Sequence, residues 1–363
     1  MKTSVVVAMS GGVDSSVAAA LLKERGYEVI GITMCFGLKE AGKKKPSCCG
    51  LEGIEDARRV AHKLGIKHYL LNFHRALEEK VISNFLEEYI AGRTPNPCVR
   101  CNQYLKFDRL LKKTRGLGAA YLATGHYARI SSGRNYLLNK AKDTNKDQSY
   151  FLYRLNQEQL GHILFPLGNY TKKEVRKLAR RFGLPVSEKL GSQEICFIPD
   201  DDYRGFLRKR LAQMKKTLKP GPILDTKGDI LGEHKGIPFY TIGQRQGLGI
   251  ARGYPIYIIR IDVKTNSIIV GKREEALCAG IIAGSLSFTG APIKRPVVLR
   301  VKIRYNHSEV PSRIIPLDKE RLKVIFSKPQ FAACPGQAAV FYHRQRVVGG
   351  GVIEEAINYA KNN

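Results

Sequence analysis

Val5-Val6-Val7-Ala8-Met9-Ser10-Gly11-Gly12-Val13-Asp14-Ser15-Ser16 runs directly into Val17-Ala18-Ala19-Ala20-Leu21-Leu22. The apolar run predicts a buried strand and the alanine-rich stretch a helix, so the two glycines between them predict a tight turn. Glycines let backbone approach a bulky anion without Cβ interference, and the amides that open a helix carry partial positive charge suited to phosphate. Ser10, Ser15 and Ser16 add hydroxyl donors around the turn. A bare Gly-Gly pair with a serine cap would read as an ordinary turn. The whole string, set between strand and helix, reads as an anion site.

A mononucleotide loop of the type G-x-x-x-x-G-K-[ST] is the competing reading. Gly37, Gly42 and Lys43 have the spacing, but Lys44 stands where a magnesium-binding Ser or Thr is needed, and no apolar strand leads in with the right register. The SGGVDSS string instead resembles the PP-loop of the ATP pyrophosphatase superfamily. That resemblance implies a grip on the pyrophosphate end of ATP, adenylation of a carbonyl-type oxygen, and Asp14 as a metal- or ATP-orienting carboxylate.

Working outward, strand and helix alternate. Tyr27–Met34 predicts a second strand, 38–50 a lysine-rich loop carrying Cys48 and Cys49, Ile54–Leu64 a helix and Lys67–Phe73 a strand. Leu77–Ile90 and Tyr104–Lys113 predict helices, Ala119–Gly125 a strand ending on glycine, Thr171–Phe182 a helix and Gly191–Asp202 a loop. Such alternation predicts an α/β fold whose parallel sheet holds its ligand at the carboxyl ends of the strands. From Gly221 onward, short Gly-, Pro- and β-branched-rich runs take over, as in Ile256-Tyr257-Ile258-Ile259 and Ala339-Val340-Phe341-Tyr342. They predict small β-rich domains, the last a β-barrel. The expected division is a catalytic domain 1–203, a central β-rich domain 204–272 and a C-terminal barrel 273–363.

The 363 residues are 43% hydrophobic and 26% charged, enough to bury a sizeable core and to exclude disorder. No apolar run approaches the roughly 20 residues that span a bilayer, and no signal-peptide cleavage site is seen, so no membrane partner and a cytoplasmic location are expected. Lys and Arg number 61 against 32 Asp and Glu, a net charge of +29 spread along the whole chain. Such an excess costs self-repulsion that a polyanion relieves, which favours nucleic acid as partner over a merely lysine-rich background.

Eight cysteines occur, at positions 35, 48, 49, 98, 101, 196, 278 and 334. In Gly92-Arg93-Thr94-Pro95-Asn96-Pro97-Cys98-Val99-Arg100-Cys101-Asn102 two prolines stiffen a turn before a helix expected to begin near Asn102. Cysteines beside arginines at a helix start have the thiolate favoured. A zinc site would need a second cysteine pair, which Cys48-Cys49 does not supply. Buried inert thiols, a redox-active pair and three iron–sulfur ligands stay open, the third cysteine being Cys196 in Ser192-Gln193-Glu194-Ile195-Cys196-Phe197.

The strings SGGVDSS, CCGLEGIEDARRVA, GRTPNPCVRCN with its following KF, LATGHYAR, KDQSYFL, SQEICF, YTIGQRQGLGI and PGQAAVFY fall in this order between residues 10 and 342. Together they resemble the tRNA-specific 2-thiouridylase family. The resemblance implies conversion of the wobble uridine of tRNAs reading Lys, Glu and Gln codons to 2-thiouridine, with ATP and Mg2+ as cofactors. ATP adenylates the C2 oxygen, pyrophosphate leaves, and sulfur then displaces AMP. It further implies an ATP site at Ala8, Met9, Ser10, Gly11, Gly12, Val13, Asp14, Ser15, Met34 and Gly125, with Cys101 as nucleophile and Cys196 as persulfide carrier. In that scheme Cys101 releases the sulfur from Cys196 and leaves a disulfide to be reduced.

Asn96, Pro97 and Cys98 would face the flipped-out base. His126, Lys146, Asp147, Gln148, Arg304, Tyr305 and Gln337 fall at tRNA-contact positions. Many members carry aspartate where this chain has Cys98, so a carboxylate role is lost there. Cys98, Cys101 and Cys196 would alternatively hold a [4Fe-4S] cluster. Further expected are a sulfur donor, either a persulfide carrier protein or sulfide, and a monomeric chain. A PP-loop amide ligase and a non-catalytic RNA-binding protein are the readings from other classes. The first lacks a glutaminase segment ahead of the loop and the second leaves SGGVDSS unexplained.

Overall fold

In the computed structural model, residues 2–37, 51–189, 195–198 and 201–359 are described. The expected 38–50 loop, with Cys48, Cys49 and Gly42-Lys43-Lys44, lies outside them, as does half of the expected 191–202 loop.

The first strand, β1 (Ser4–Ala8), leads into helix α1 (Val13–Glu24) and then to β2 (Glu28–Cys35), helix α2 (Leu51–Leu64) and β3 (Lys67–Asn72). β4 (Tyr121–Ala123) and the short β7 (Ile163–Leu164) complete a parallel sheet in the order β3-β2-β1-β4-β7. β1 is its centre, and Val5, Val6 and Val7 are fully buried, so the apolar run needs no alternation. The chain winds from β1 outward through β2 and β3, then returns to β4 on β1's other side. This reversal opens a crevice at the carboxyl ends of β1 and β4, where α/β sheets hold ligands.

Helical segments cover the sheet. One runs over residues 74–90, with wide i→i+5 turns at Glu78–Ile82. The next runs over 97–116 and widens in the same way over Cys101–Leu110, a feature frequent at functional sites. It starts at Pro97, earlier than the expected start near Asn102. The physical reason is that proline suits the first helical position and the Asn96 side chain accepts the Val99 N–H at 3.2 Å as an N-cap.

A helix over Tyr203–Gln213 opens the next unit, followed by a four-stranded sheet of β8 (Gly221–Leu224), β9 (Ile230–His234), β10 (Tyr257–Asp262) and β11 (Ser267–Gly271), ordered β10-β11-β8-β9. The last unit is a closed six-stranded barrel. β12 (Leu277–Phe288), β13 (Val297–Lys302), β14 (Val310–Pro316), β15 (Leu322–Phe331), β16 (Ala338–His343) and β17 (Arg346–Asn358) pair as β12-β15-β14-β13-β16-β17, and β12 pairs back to β17.

A hairpin from the first unit, β5 (Ala128–Ser131) and β6 (Leu137–Lys140), joins this sheet through Arg346 opposite Asn139. β16 is consequently buried on both faces: Ala339 and Phe341 fill the barrel, while Ala338, Val340 and Tyr342 belong to the core of the first two units. That core also contains Val6, Phe85, Leu105, Phe239 and Ile258, so residues of all three units meet in one apolar cluster beside the barrel's own core.

Candidate active site

The glycine turn at the carboxyl end of β1 is built largely from main chain. Gly11 adopts φ +72°, open to glycine without strain, and Gly12 is the N-cap of α1 with no side chain capping the helix. The Ser15 hydroxyl accepts the Ser10 N–H at 3.1 Å, donates to the Gly12 carbonyl at 3.2 Å and lies 3.3 Å from the Ser10 hydroxyl. The Ser16 hydroxyl donates to the same Gly12 carbonyl at 2.8 Å. Met9 and Val13 point into the core, so only their backbone is available to a ligand, and Met34 is half-buried on β2. Gly125, just beyond β4, closes the turn: a Cβ there would fall 2.7 Å from the Ser15 nitrogen. A 12-residue helix with uncapped first-turn amides and hydroxyls at its mouth fits the phosphates of ATP.

Asp14 stands at this mouth with two partners that sequence spacing does not reveal. The Tyr127 hydroxyl donates to Asp14 Oδ1 at 2.8 Å, and Lys172 Nζ donates to the same oxygen at 2.6 Å. Both ends of the ion pair are partly shielded, at 20% exposure for Lys172 and 33% for Asp14. Burial raises the Tyr127 hydroxyl pKa far above its ordinary value, and the negative Asp14 beside it adds to the effect, so Tyr127 serves only as a donor. Lys172 was hidden in sequence because it opens a distant helix, Lys172–Arg181, that packs beside α1.

The cysteine segment opens the helix whose Phe107 packs against His126, the residue after Gly125. In the helix of residues 97–116, Cys98 is exposed in the first turn and Cys101 is half-buried one turn on. Asn96 is half-buried and Pro97 buried. Arg100 donates to the Lys80 carbonyl at 2.9 Å, pinning this helix to the one over residues 74–90. Phe85 of that second helix packs edge-on to Phe197 at 5.4 Å between ring centroids. Cys101 and Cys196 both border the core cluster that contains Phe85 and Phe197.

Further along the cysteine helix, the Phe107 ring lies 5.8 Å from that of His126, the residue after Gly125. His126 is buried between Phe107 and Phe165, and its Nδ1 lies 2.7 Å from the Thr124 hydroxyl. Burial, with Lys106 nearby, holds its pKa well below the ordinary 6.5, so the ring is neutral.

Most residues at the expected tRNA-contact positions are engaged inside the protein. Asp147 is buried and accepts the Ala141 and Ser149 N–H groups at 2.9 and 3.2 Å and the Ser149 hydroxyl at 2.8 Å. Gln148 Oε1 accepts the Tyr127 N–H at 3.0 Å. Arg304 Nη2 donates to the Ile242 carbonyl at 2.8 Å and to Cys334 Sγ at 2.6 Å, stitching the central unit to the barrel. Gln337 donates to carbonyls of the cysteine segment. Lys146 and Tyr305 keep partly exposed side chains, and the Tyr305 ring lies 4.5 Å from that of Phe151.

The three-thiolate cluster does not fit the structure. Among the described residues, which include Cys98, Cys101 and Cys196, no three His, Cys, Asp or Glu side chains converge on a point where a metal could be held. Cys98 lies on the exposed rim of its helix start, while Cys196 is set beside core residues Phe197 and Ile198. No described helix is long and apolar enough to cross a membrane.

The class defined by this fold and site is an adenine-nucleotide-type α/β domain carrying two β-rich units. Residues 3–200 match the family model described as the tRNA methyl transferase HUP domain. Residues 204–272 match the tRNA methyl transferase PRC-barrel domain, and 278–353 the aminomethyltransferase β-barrel domain. The tRNA-specific 2-thiouridylase MnmA of Halothermothrix orenii is 51% identical over 356 residues, 97% of this chain and 99% of its own. That of Pelotomaculum thermopropionicum is 50% identical over 360 residues, 97% and 98% of the two chains. That of Carboxydothermus hydrogenoformans is 48% identical over 363 residues, 98% and 99%. The chain belongs to the tRNA-specific 2-thiouridylase family.

Proposed function

We propose that this protein thiolates C2 of the wobble uridine of tRNA at the expense of ATP. The observation that carries the reading is the packing chain from Ser15 through Gly125 and His126 to Phe107, which runs from the glycine turn to the helix bearing Cys98 and Cys101. A base entering between them meets a nucleotide loop on one side and thiols on the other. The first-turn amides of α1 and the Ser10 and Ser15 hydroxyls would hold the ATP phosphates, and Asp14 would orient Mg2+. The metal supplies charge neutralisation as pyrophosphate leaves.

Sulfur transfer follows from the two half-buried cysteines. A donor, a persulfide carrier protein or sulfide with an oxidant, loads Cys196 as a persulfide. The Cys101 thiolate attacks the inner sulfur of Cys196, a Cys101–Cys196 disulfide forms and hydrosulfide leaves. Hydrosulfide adds to C2 of the adenylated uridine, the C2–O bond breaks and AMP departs. Two electrons from an external thiol reductant restore both cysteines. Asn96, Pro97 and Cys98 would line the target base. Lys146 and Tyr305, both half-buried, are the expected tRNA-contact residues whose polar atoms are not tied to the protein by the hydrogen bonds described above, and the +29 charge supports backbone contacts over a wider face. The domain division 1–203, 204–272 and 273–363, a monomeric state and a cytoplasmic location belong to the same proposal.

The experiment is isotope exchange of pyrophosphate into ATP with and without an unmodified tRNA. tRNA-dependent exchange supports the reading. Exchange without tRNA would favour an amide ligase, and no exchange under either condition a non-catalytic RNA binder.

A further inference from the structure

The barrel reaches the cysteine segment through the turn between β15 and β16. Gln337 N–H donates to the Cys334 carbonyl at 3.1 Å, Gly336 N–H to the Ile353 carbonyl at 2.8 Å, and Ile353 N–H to the Gln337 carbonyl at 2.8 Å. The turn is thus fixed within the barrel by three main-chain bonds. Across the interface, Thr94 N–H donates to the Pro335 carbonyl at 2.8 Å. Gln337 Nε2 donates to the carbonyls of Thr94 and Pro95, at 3.1 and 2.9 Å.

Asn96, the next residue, caps the helix that carries Cys98 and Cys101. Two residues after Gly336, the Ala338 carbonyl accepts the hydroxyl of the fully buried Tyr150 at 2.8 Å, which anchors the start of β16 in the core. A carboxamide nitrogen has two hydrogens, and both are directed at this segment. Gly336 adopts φ +91°, and a Cβ there would fall 2.8 Å from the Thr94 carbonyl oxygen, so the contact is close-fitted.

We propose that Gln337 is a positioning residue, through which the C-terminal barrel sets the attitude of the Thr94–Pro95–Asn96 segment and so of the two cysteines on the first turns of the helix. This rests on the thiolation reading and assigns Gln337 a partner other than tRNA. A tRNA held by the barrel thereby meets cysteines whose placement the barrel itself fixes.

The test uses the full-length chain with Gln337→Met, which keeps volume and removes both donated hydrogens, and Gly336→Ala, which crowds Thr94. Three quantities are measured: the single-turnover thiolation rate at saturating unmodified tRNA, the tRNA Kd, and the rates at which iodoacetamide alkylates Cys98 and Cys101. Both variants are expected to thiolate about tenfold more slowly, Gln337→Met by losing two neutral hydrogen bonds and Gly336→Ala by displacing Thr94, with altered alkylation rates. Their tRNA Kd is expected to stay within about twofold. ATP binding by each variant reports that the first unit is folded. A tRNA Kd weakened about tenfold, with unchanged rate and alkylation, would make Gln337 an RNA contact and overturn the proposal, as would no change in any readout. Wild-type protein that fails to thiolate would defeat the thiolation reading, while the alkylation comparison still decides whether Gln337 places the cysteines.

Discussion

Asp14 illustrates how a single oxygen can organise a site. Its Oδ1 accepts from both Tyr127 and Lys172, which cancels its charge and fixes its rotamer at the mouth of α1. With Lys172 replaced by methionine, the mouth of α1 loses a cation that faces the incoming triphosphate and holds the Asp14 carboxylate in place. MgATP affinity is expected to fall about tenfold, on the order of 1.4 kcal/mol, with Lys172→Arg retaining most of it, as calorimetry would show. Asp14 itself was legible from SGGVDSS because it lies inside the local string. Tyr127 and Lys172 were not, being brought to it only by the fold.

Cys98 carries a second residue-scale prediction. Since its thiol is not gathered with those of Cys101 and Cys196 around a common metal point, Cys98→Asp is expected to keep thiolation within about threefold of wild type, without iron. Abolished activity, with iron present in the anaerobically purified parent protein, would reinstate a cluster. His126 adds a pH signature. Its folded pKa lies well below 6.5, so below pH 6.5 the unfolded chain binds a proton that the folded chain refuses. Its contribution to stability is intact above pH 6.5 and is lost as pH falls toward the folded pKa, at up to about 1.4 kcal/mol per unit. Melting of wild type and His126→Gln at pH 7.5 and 5 should show the smaller acid loss in the variant.

At the scale of elements, the parallel sheet was readable because β1, β2 and β4 are apolar runs bounded by glycine turns. Sequence alone places the start of the cysteine helix too late, because Pro95 and Pro97 look like breakers, whereas Asn96 caps the turn and Pro97 occupies the first helical position. The joining of hairpin β5–β6 to the barrel had no local signal at all. It depends on Arg346 opposite Asn139 and on the shielded pair of Lys140 with Glu309 at 2.5 Å, whose side chains are 15% and 14% exposed. Lys140 also lies 4.6 Å from the centre of the Tyr342 ring. Glu309→Ala leaves that lysine without its anion and is expected to lower stability by about 1–3 kcal/mol, measured by urea unfolding.

For the whole molecule, the decisive property is a net charge of +29 on a chain whose three units meet in one apolar cluster. Each phosphate that the protein neutralises releases counterions, so tRNA affinity should fall steeply and linearly in log Kd against log salt, while MgATP affinity changes far less. Equal slopes for the two ligands would refute a broad basic RNA face. Composition made this charge legible. It left hidden that Asp147, Gln148, Arg304 and Gln337 use their polar atoms on the protein itself, since sequence does not distinguish a side chain facing RNA from one bridging two units.

The most direct test combines adenylation with sulfur transfer in one tube. Wild type, Cys101→Ser and Cys196→Ser are each mixed with ATP, unmodified tRNA and a sulfur donor for a single turnover, and the wobble nucleoside and pyrophosphate exchange are measured together. The account predicts 2-thiouridine from wild type only, with tRNA-dependent exchange retained by all three. Undiminished 2-thiouridine from both serine variants would contradict it.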